Sequence, residues 1–128
     1  MKIAYIGAGS IQFGPLIIQD ILMSDVLCGE GLEIHLMDIE RSHLAEVIKH
    51  GDYVNQKLER NAKIFATTNL EDAIRGADFV ICALEKDRNI YWSQDFHIPR
   101  KYGFKQVYGE NGGVGSFFHA LRNIKPIV

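Results

Sequence analysis

Apolar positions fall along this chain in short runs separated by stretches of helical spacing. "KIAYIG" (2–7) is apolar and ends in glycine, which predicts a buried strand. "PLIIQDILMSD" follows as a helix, with Pro15 in its first turn and Leu16, Ile17, Ile18 and Ile21 directed towards the sheet. "LEIHLMD" (32–38) alternates and ends on an acid, a second strand. In "ERSHLAEVIKHGDYVNQKLER" the residues Leu44, Val47, Ile48, Val54 and Leu58 recur at helical spacing despite Gly51. "AKIFATT" (62–68) is a third strand, and "NLEDAIRGAD" a short helix capped by Asn69 and stopped by Gly76. "FVICAL" (79–84) is a fourth strand, apolar throughout.

Strands alternating with helices at this pace predict an α/β fold, a Rossmann-like parallel sheet with flanking helices and right-handed crossovers. After residue 84 the strand rhythm stops. Residues 85–104 mix polar and aromatic side chains, and a glycine-rich stretch, "YGENGGVGSFFHALRNI" (108–124), then runs into an amphipathic helix pattern. Doubly wound dinucleotide folds usually have about six strands. The expectation is therefore one domain over residues 1–128, the N-terminal part of a longer protein.

Composition narrows the class of function. The 128 residues are 47% hydrophobic and 23% charged, with net charge −2, so the chain can bury a core but carries no basic footprint for nucleic acid or anionic membrane. The opening apolar run is too short for a signal peptide, and no later run approaches the ~18 residues of a membrane helix. Cys28 and Cys82 make neither a disulfide framework nor a metal pair by spacing, and Cys82, inside a strand pattern, reads as a buried thiol. A reducing cytoplasm is the expected setting.

The first glycine turn carries the clearest chemistry. Gly7 and Gly9 form G-x-G directly after a strand and before a helix, the context of a nucleotide-binding fingerprint. One glycine permits the tight turn, and the next lets backbone approach a pyrophosphate at the helix N-terminus. The third glycine of G-x-G-x-x-G is replaced by Gln12, and Gly14-Pro15 delays the helix, giving a wider turn. Asp38, ending the second strand, is placed to accept hydrogen bonds from an adenosine ribose and to repel a 2′-phosphate, favouring NAD over NADP. It lies farther from the turn than the usual ~20 residues, and the loop "SDVLCGEGLE" absorbs the difference. The alternative is a structural turn with Asp38 capping the next helix.

The opening "IGAGSIQFGP", the strand end "LMDIE" and above all "YGENGGVGSFFHALRNI" resemble the family 4 glycoside hydrolases, in the branch containing α-galactosidases and α-galacturonidases. The resemblance implies the N-terminal part of an NAD- and divalent-metal-dependent glycosidase, related in fold to lactate and malate dehydrogenases. It implies oxidation of the sugar at C3, elimination, addition of water and re-reduction, with a metal ion, usually manganese, as Lewis acid. It places Gly7, Gly9, Ser10, Gln12 and Phe13 on the pyrophosphate turn, Asp38 on the ribose and Ala83 beside the cofactor. Glu110 falls where a general acid belongs and Asn111 where a sugar hydroxyl is met. Val114 departs from the proline expected in this branch, a change in turn stiffness rather than chemistry. The family's metal-ligating cysteine and histidine, and its base, lie beyond residue 128, so no metal site is assigned to these residues.

Other residues carry two readings side by side. Glu110 suits helix capping as well as acid catalysis. Arg88 suits a substrate loop or an ordinary surface. Tyr91, Trp92 and Phe96 suit a sugar site or helix packing, and His119 reads as packed or solvent-facing. The two glycine turns are expected to serve one active site, with a small-molecule sugar as partner and, by the family's tendency, homo-oligomers in the full-length form. A lactate- or malate-type dehydrogenase and a non-catalytic NAD-binding module are the competing functions.

Overall fold

The computed structural model describes residues 1–29, 31–105 and 112–127. The chain divides into two compact units, Met1–Leu84 and Glu85–Val128.

The first unit alternates β1 (Lys2–Ile6), α1 (Gly14–Met23), β2 (Glu33–Met37), α2 (Arg41–Lys57), β3 (Lys63–Thr67), α3 (Leu70–Ile74) and β4 (Phe79–Cys82). All the strand pairings are parallel, in the order β3-β2-β1-β4. The period-2 alternation of each strand divides its side chains between two cores. Ile3, Tyr5, Ile34 and Leu36 meet Ile18, Ile21, Leu22, Leu44, Val47 and Val54 of α1 and α2 on one face. Ala4, Ile6 and Met37 meet Ala73 of α3 on the other. Asn69 caps α3 as expected, its side chain accepting from the Glu71 and Asp72 N–H groups at 2.9 and 3.3 Å. Gly76 ends that segment with φ +67°.

Two expectations about burial change, and one about helix extent. Leu16 is exposed: the helix begins at Gly14, so its buried stripe runs through Gly14, Ile18, Ile21 and Leu22, and Leu16 falls on the other side. Leu58 lies just past α2 and is also exposed. Cys82 is exposed rather than buried, because β4 is an edge strand of the sheet, and Phe79 and Val80 are exposed with it. Cys28 is half-buried against the end of α1, where its thiol meets the Ile21 and Leu22 carbonyls and burial pushes its pKa up.

The second unit contains α4 (Arg88–Lys101) and α5 (Val114–Ile127), which pack on each other. Arg122 of α5 bonds the buried Asp95 of α4 and lies over the Tyr91 ring at 4.8 Å. Asn123, also buried, donates to the His119 carbonyl and accepts from the Lys86 N–H at 3.0 Å. Glu110 and Asn111 lie outside the described residues.

Candidate cofactor-binding site

The first glycine turn sits at the carboxyl end of β1, where parallel sheets collect ligands. Its anchor is β2: the N–H groups of Gly7 and Ala8 both donate to the Met37 carbonyl, at 2.9 and 3.0 Å. Gly7 takes φ +81°, a conformation that side chains with a Cβ enter at a cost. It also has no room for one, since a Cβ there would lie 2.2 Å from the Ala83 carbonyl oxygen. Ala83 is in turn tied to β1, its N–H donating to the Ile6 carbonyl at 2.9 Å. Gly7 and Ala83 thus meet at one edge of the sheet.

Asp38 closes the other side. Its Oδ2 accepts from the Gly9 N–H at 2.9 Å and its Oδ1 from the Glu40 N–H at 3.0 Å. The carboxylate therefore braces the turn and the start of α2 together, so the capping alternative describes part of what it does. A Cβ on Gly9 would sit 2.8 Å from this carboxylate and 2.7 Å from the Cβ of His43. The bare Gly9 backbone is what lets acid and turn come this close.

Ser10, Ile11, Gln12 and Phe13 form the lip of the turn. Ser10 Oγ accepts from the Phe13 N–H at 3.2 Å, and the Ser10 carbonyl from the Gly14 N–H at 2.7 Å. The side chains of Gln12 and Phe13 are exposed. Among the described residues, the N–H groups of Ile11 and Gln12 have no acceptor. Free backbone donors just ahead of a helix N-terminus suit an anion. The lip, the glycines and Asp38 fit a dinucleotide, with phosphate at the donors and ribose at the acid.

Gly14 joins the site although the fingerprint does not mark it. A Cβ there would lie 2.2 Å from the Ala8 carbonyl oxygen and 3.0 Å from Val47. It supplies the close approach of helix to turn that the third fingerprint glycine gives in the standard spacing. The signal is present in the sequence as the glycine immediately before Pro15.

Sequence comparison agrees with this geometry. The family model described as "Family 4 glycosyl hydrolase" matches residues 2–128. The chain belongs to this family. Its relatives in sequence are glycosidases by name. An alpha-glucosidase of Erwinia rhapontici is 45% identical over 128 residues, covering 99% of this chain and 28% of its own length. An alpha-galacturonidase of Thermoanaerobacter italicus is 32% identical, covering 97% and 26%. An alpha-galactosidase of Rhizobium meliloti is 32% identical, covering 99% and 26%. In structure, the 6-phospho-beta glucosidase from Thermotoga maritima with NAD and glucose-6-phosphate superposes with TM-score 0.78 at 28% identity, over 99% of this chain and 29% of that one. The same enzyme with manganese, NAD+ and glucose-6-phosphate gives 0.77 at 29% identity, over 99% and 30%. The family 4 chain thus spans under a third of the length of these relatives, and its Rossmann-like fold is theirs.

In the second unit, Arg88 stands exposed at the start of α4, bonded to Glu85 and 5.7 Å from the centroid of the Trp92 ring. Trp92 stacks on Phe96 at 6.2 Å, and Arg100 lies 4.3 Å over the Phe96 ring. Tyr91 packs under Arg122. The aromatic residues are engaged by neighbours on α4 and α5, which agrees with the packing reading. His119 is half-buried with its Nδ1 3.6 Å from Glu85 Oε1. Glu85, Asp95, Arg122 and Asn123 carry no motif that marks them, since their roles depend on which helix faces which. Among the described residues no His, Cys, Asp and Glu group could hold a metal ion. No described helix is long and apolar enough to cross a membrane.

Proposed function

We propose that this chain is the NAD-binding part of a family 4 glycosidase that cleaves α-glycosidic bonds by oxidation at C3, elimination, water addition and re-reduction. The observation that carries it is the Gly9–Asp38 contact beside free N–H donors: a carboxylate held at the rim of a glycine turn, next to an anion site. Bound NAD supplies a reversible hydride acceptor, and a manganese ion held by residues beyond 128 supplies Lewis acidity. This chain's residues do the positioning. Gly7, Gly9, Ser10, Gln12 and Phe13 shape the pyrophosphate turn, Asp38 orients the ribose through its hydroxyls, and Ala83 flanks the cofactor. Glu110 protonates the leaving oxygen, and Asn111 binds a sugar hydroxyl. The complete enzyme works in the cytoplasm as a homo-oligomer.

The decisive experiment on the cofactor is calorimetric titration with NAD and NADP, on the unmutated protein and on Asp38→Ala. NAD is expected to bind at least tenfold tighter than NADP, and Asp38→Ala to erase most of that preference. Equal affinities in the unmutated protein would sink the ribose assignment. For Glu110, Glu110→Gln in the complete enzyme should slow glycosides with poor leaving groups far more than activated aryl glycosides, with NAD affinity unchanged. Equal losses on both would return Glu110 to helix capping.

A further inference from the structure

Arg88, for which one reading is a substrate-loop cation, is paired with a carboxylate. One N–H group of the Arg88 guanidinium donates to the Glu85 carboxylate, and His119 Nδ1 of α5 lies 3.6 Å from that carboxylate's other oxygen. Glu85 is the better buried of the ion pair, its side chain 17% exposed against 50% for Arg88. Its neighbour Lys86 donates its backbone N–H to Asn123 of α5, which holds this segment against that helix. Asp87 takes φ +49°, which fixes the direction in which α4 departs. The segment Glu85-Lys86-Asp87-Arg88 as a whole carries two acids and two bases.

An anionic sugar, whether a uronate or a 6-phosphate, needs an arginine whose donors are free, or a local excess of positive charge. Here Arg88 shares its charge with Glu85, and the segment carries no excess of positive charge. An anion approaching Arg88 meets the Glu85 carboxylate on the same guanidinium and is repelled by its like charge.

We propose that Glu85 is a specificity-determining residue, which by neutralising Arg88 selects uncharged glycosides over uronides and sugar phosphates. The inference rests on the glycosidase reading and on Arg88 bordering the sugar. It separates this chain from those relatives whose names specify a charged sugar.

The test measures kcat/KM of the complete enzyme for a neutral aryl α-hexopyranoside, the matching α-hexuronide and the matching 6-phosphate. The unmutated protein should prefer the neutral substrate. Glu85→Gln should raise the charged-to-neutral ratio about tenfold, chiefly through a lower KM for the charged substrates, and the E85Q/R88Q double variant should lose that gain. His119→Asn breaks the same helix contact but keeps the ion pair, so it should leave the ratio unchanged. A ratio that stays within twofold in folded Glu85→Gln would overturn the proposal, as would an unmutated preference for the charged sugar. A shift in His119→Asn as large as in Glu85→Gln would overturn it too, by assigning the effect to packing. Absence of turnover on every glycoside, with NAD still bound, overturns the glycosidase reading and this inference together; retained turnover with an unmoved ratio overturns this inference alone.

Discussion

Gly7→Ala tests the geometry of the turn most directly, because two independent costs fall on a single added carbon. At φ +81° an alanine enters the left-handed region at about 1–2 kcal/mol. The added Cβ then meets the Ala83 oxygen at 2.2 Å and the Ala83 carbonyl carbon at 2.7 Å, both backbone atoms of the segment that leaves β4. That segment retreats only by giving up the bond from the Ala83 N–H to Ile6, worth about 0.5–1.5 kcal/mol net. Overpacking adds about 1–3 kcal/mol. Together these come to about 2.5–6.5 kcal/mol, a large part of the ~5–15 kcal/mol that stabilises an ordinary domain. Gly31→Ala is the matched control: its φ is +75°, yet among the described residues nothing lies within 4 Å of the added Cβ. It carries the strain without the clash. Both substitutions also restrict the unfolded chain equally, so that effect cancels in the comparison. In urea unfolding, with a slope of about 1–3 kcal/mol per molar, Gly7→Ala should lower the midpoint by at least about 0.5 M beyond Gly31→Ala. Equal midpoints would show that the turn does not press against Ala83, and the edge of the site would have to be redrawn.

Tyr5 should make the fold sensitive to alkali. Its hydroxyl is buried with no partner among the described residues, and burial, then the Asp38 charge, push its pKa from the ordinary 10.0 up to about 12. A raised pKa contributes stability that is complete below pH 10 and is lost as pH rises towards 12, about 3 kcal/mol in all. Tyr5→Phe should flatten the fall in unfolding free energy over that window and cost little at neutral pH, where it removes an unpaired polar group; a slope identical to that of the unmutated protein would count against the burial of the hydroxyl. Ile18, fully buried between α1 and the sheet, should cost about 2–5 kcal/mol as Ile18→Ala by thermal or urea unfolding, and a loss below about 1 kcal/mol would mean that α1 is not seated on this face.

The first unit is readable in the sequence because its signals are local and its layers repeat. Every strand from β1 to β4 falls inside the stretch that alternation or an apolar run marks out, and Asn69 and Gly76 act at the ends of α3 as their chemistry requires. Burial is less readable. Leu16 and Leu22 are equally apolar, and only the true start of α1, set by Pro15 and by Gly14 against Ala8, decides which of them faces the sheet. Cys82 shows the same limit: an apolar strand reads as interior, whereas its exposure depends on what pairs with the edge of β4.

The site divides along the same physical line. Gly7, Gly9 and Asp38 are legible because a G-x-G after a strand and an acid at the next strand end are brought together by parallel topology itself, one crossover apart. Gly14 escapes the motif because a fingerprint counts residues, while the fold asks only that some glycine stand where helix and turn touch. With two extra residues in the turn, that place moves from position 12 to position 14, and Gln12 is released to the exposed lip. Arg88 is legible as a charge but not as a neutralised one. Its partner Glu85 is three residues away, yet the segment is tied through the Lys86 N–H to Asn123, from a helix that begins at residue 114. A motif reports which chemical groups a chain owns. Whether a group is free to meet a ligand is decided by the packing around it, which no motif records.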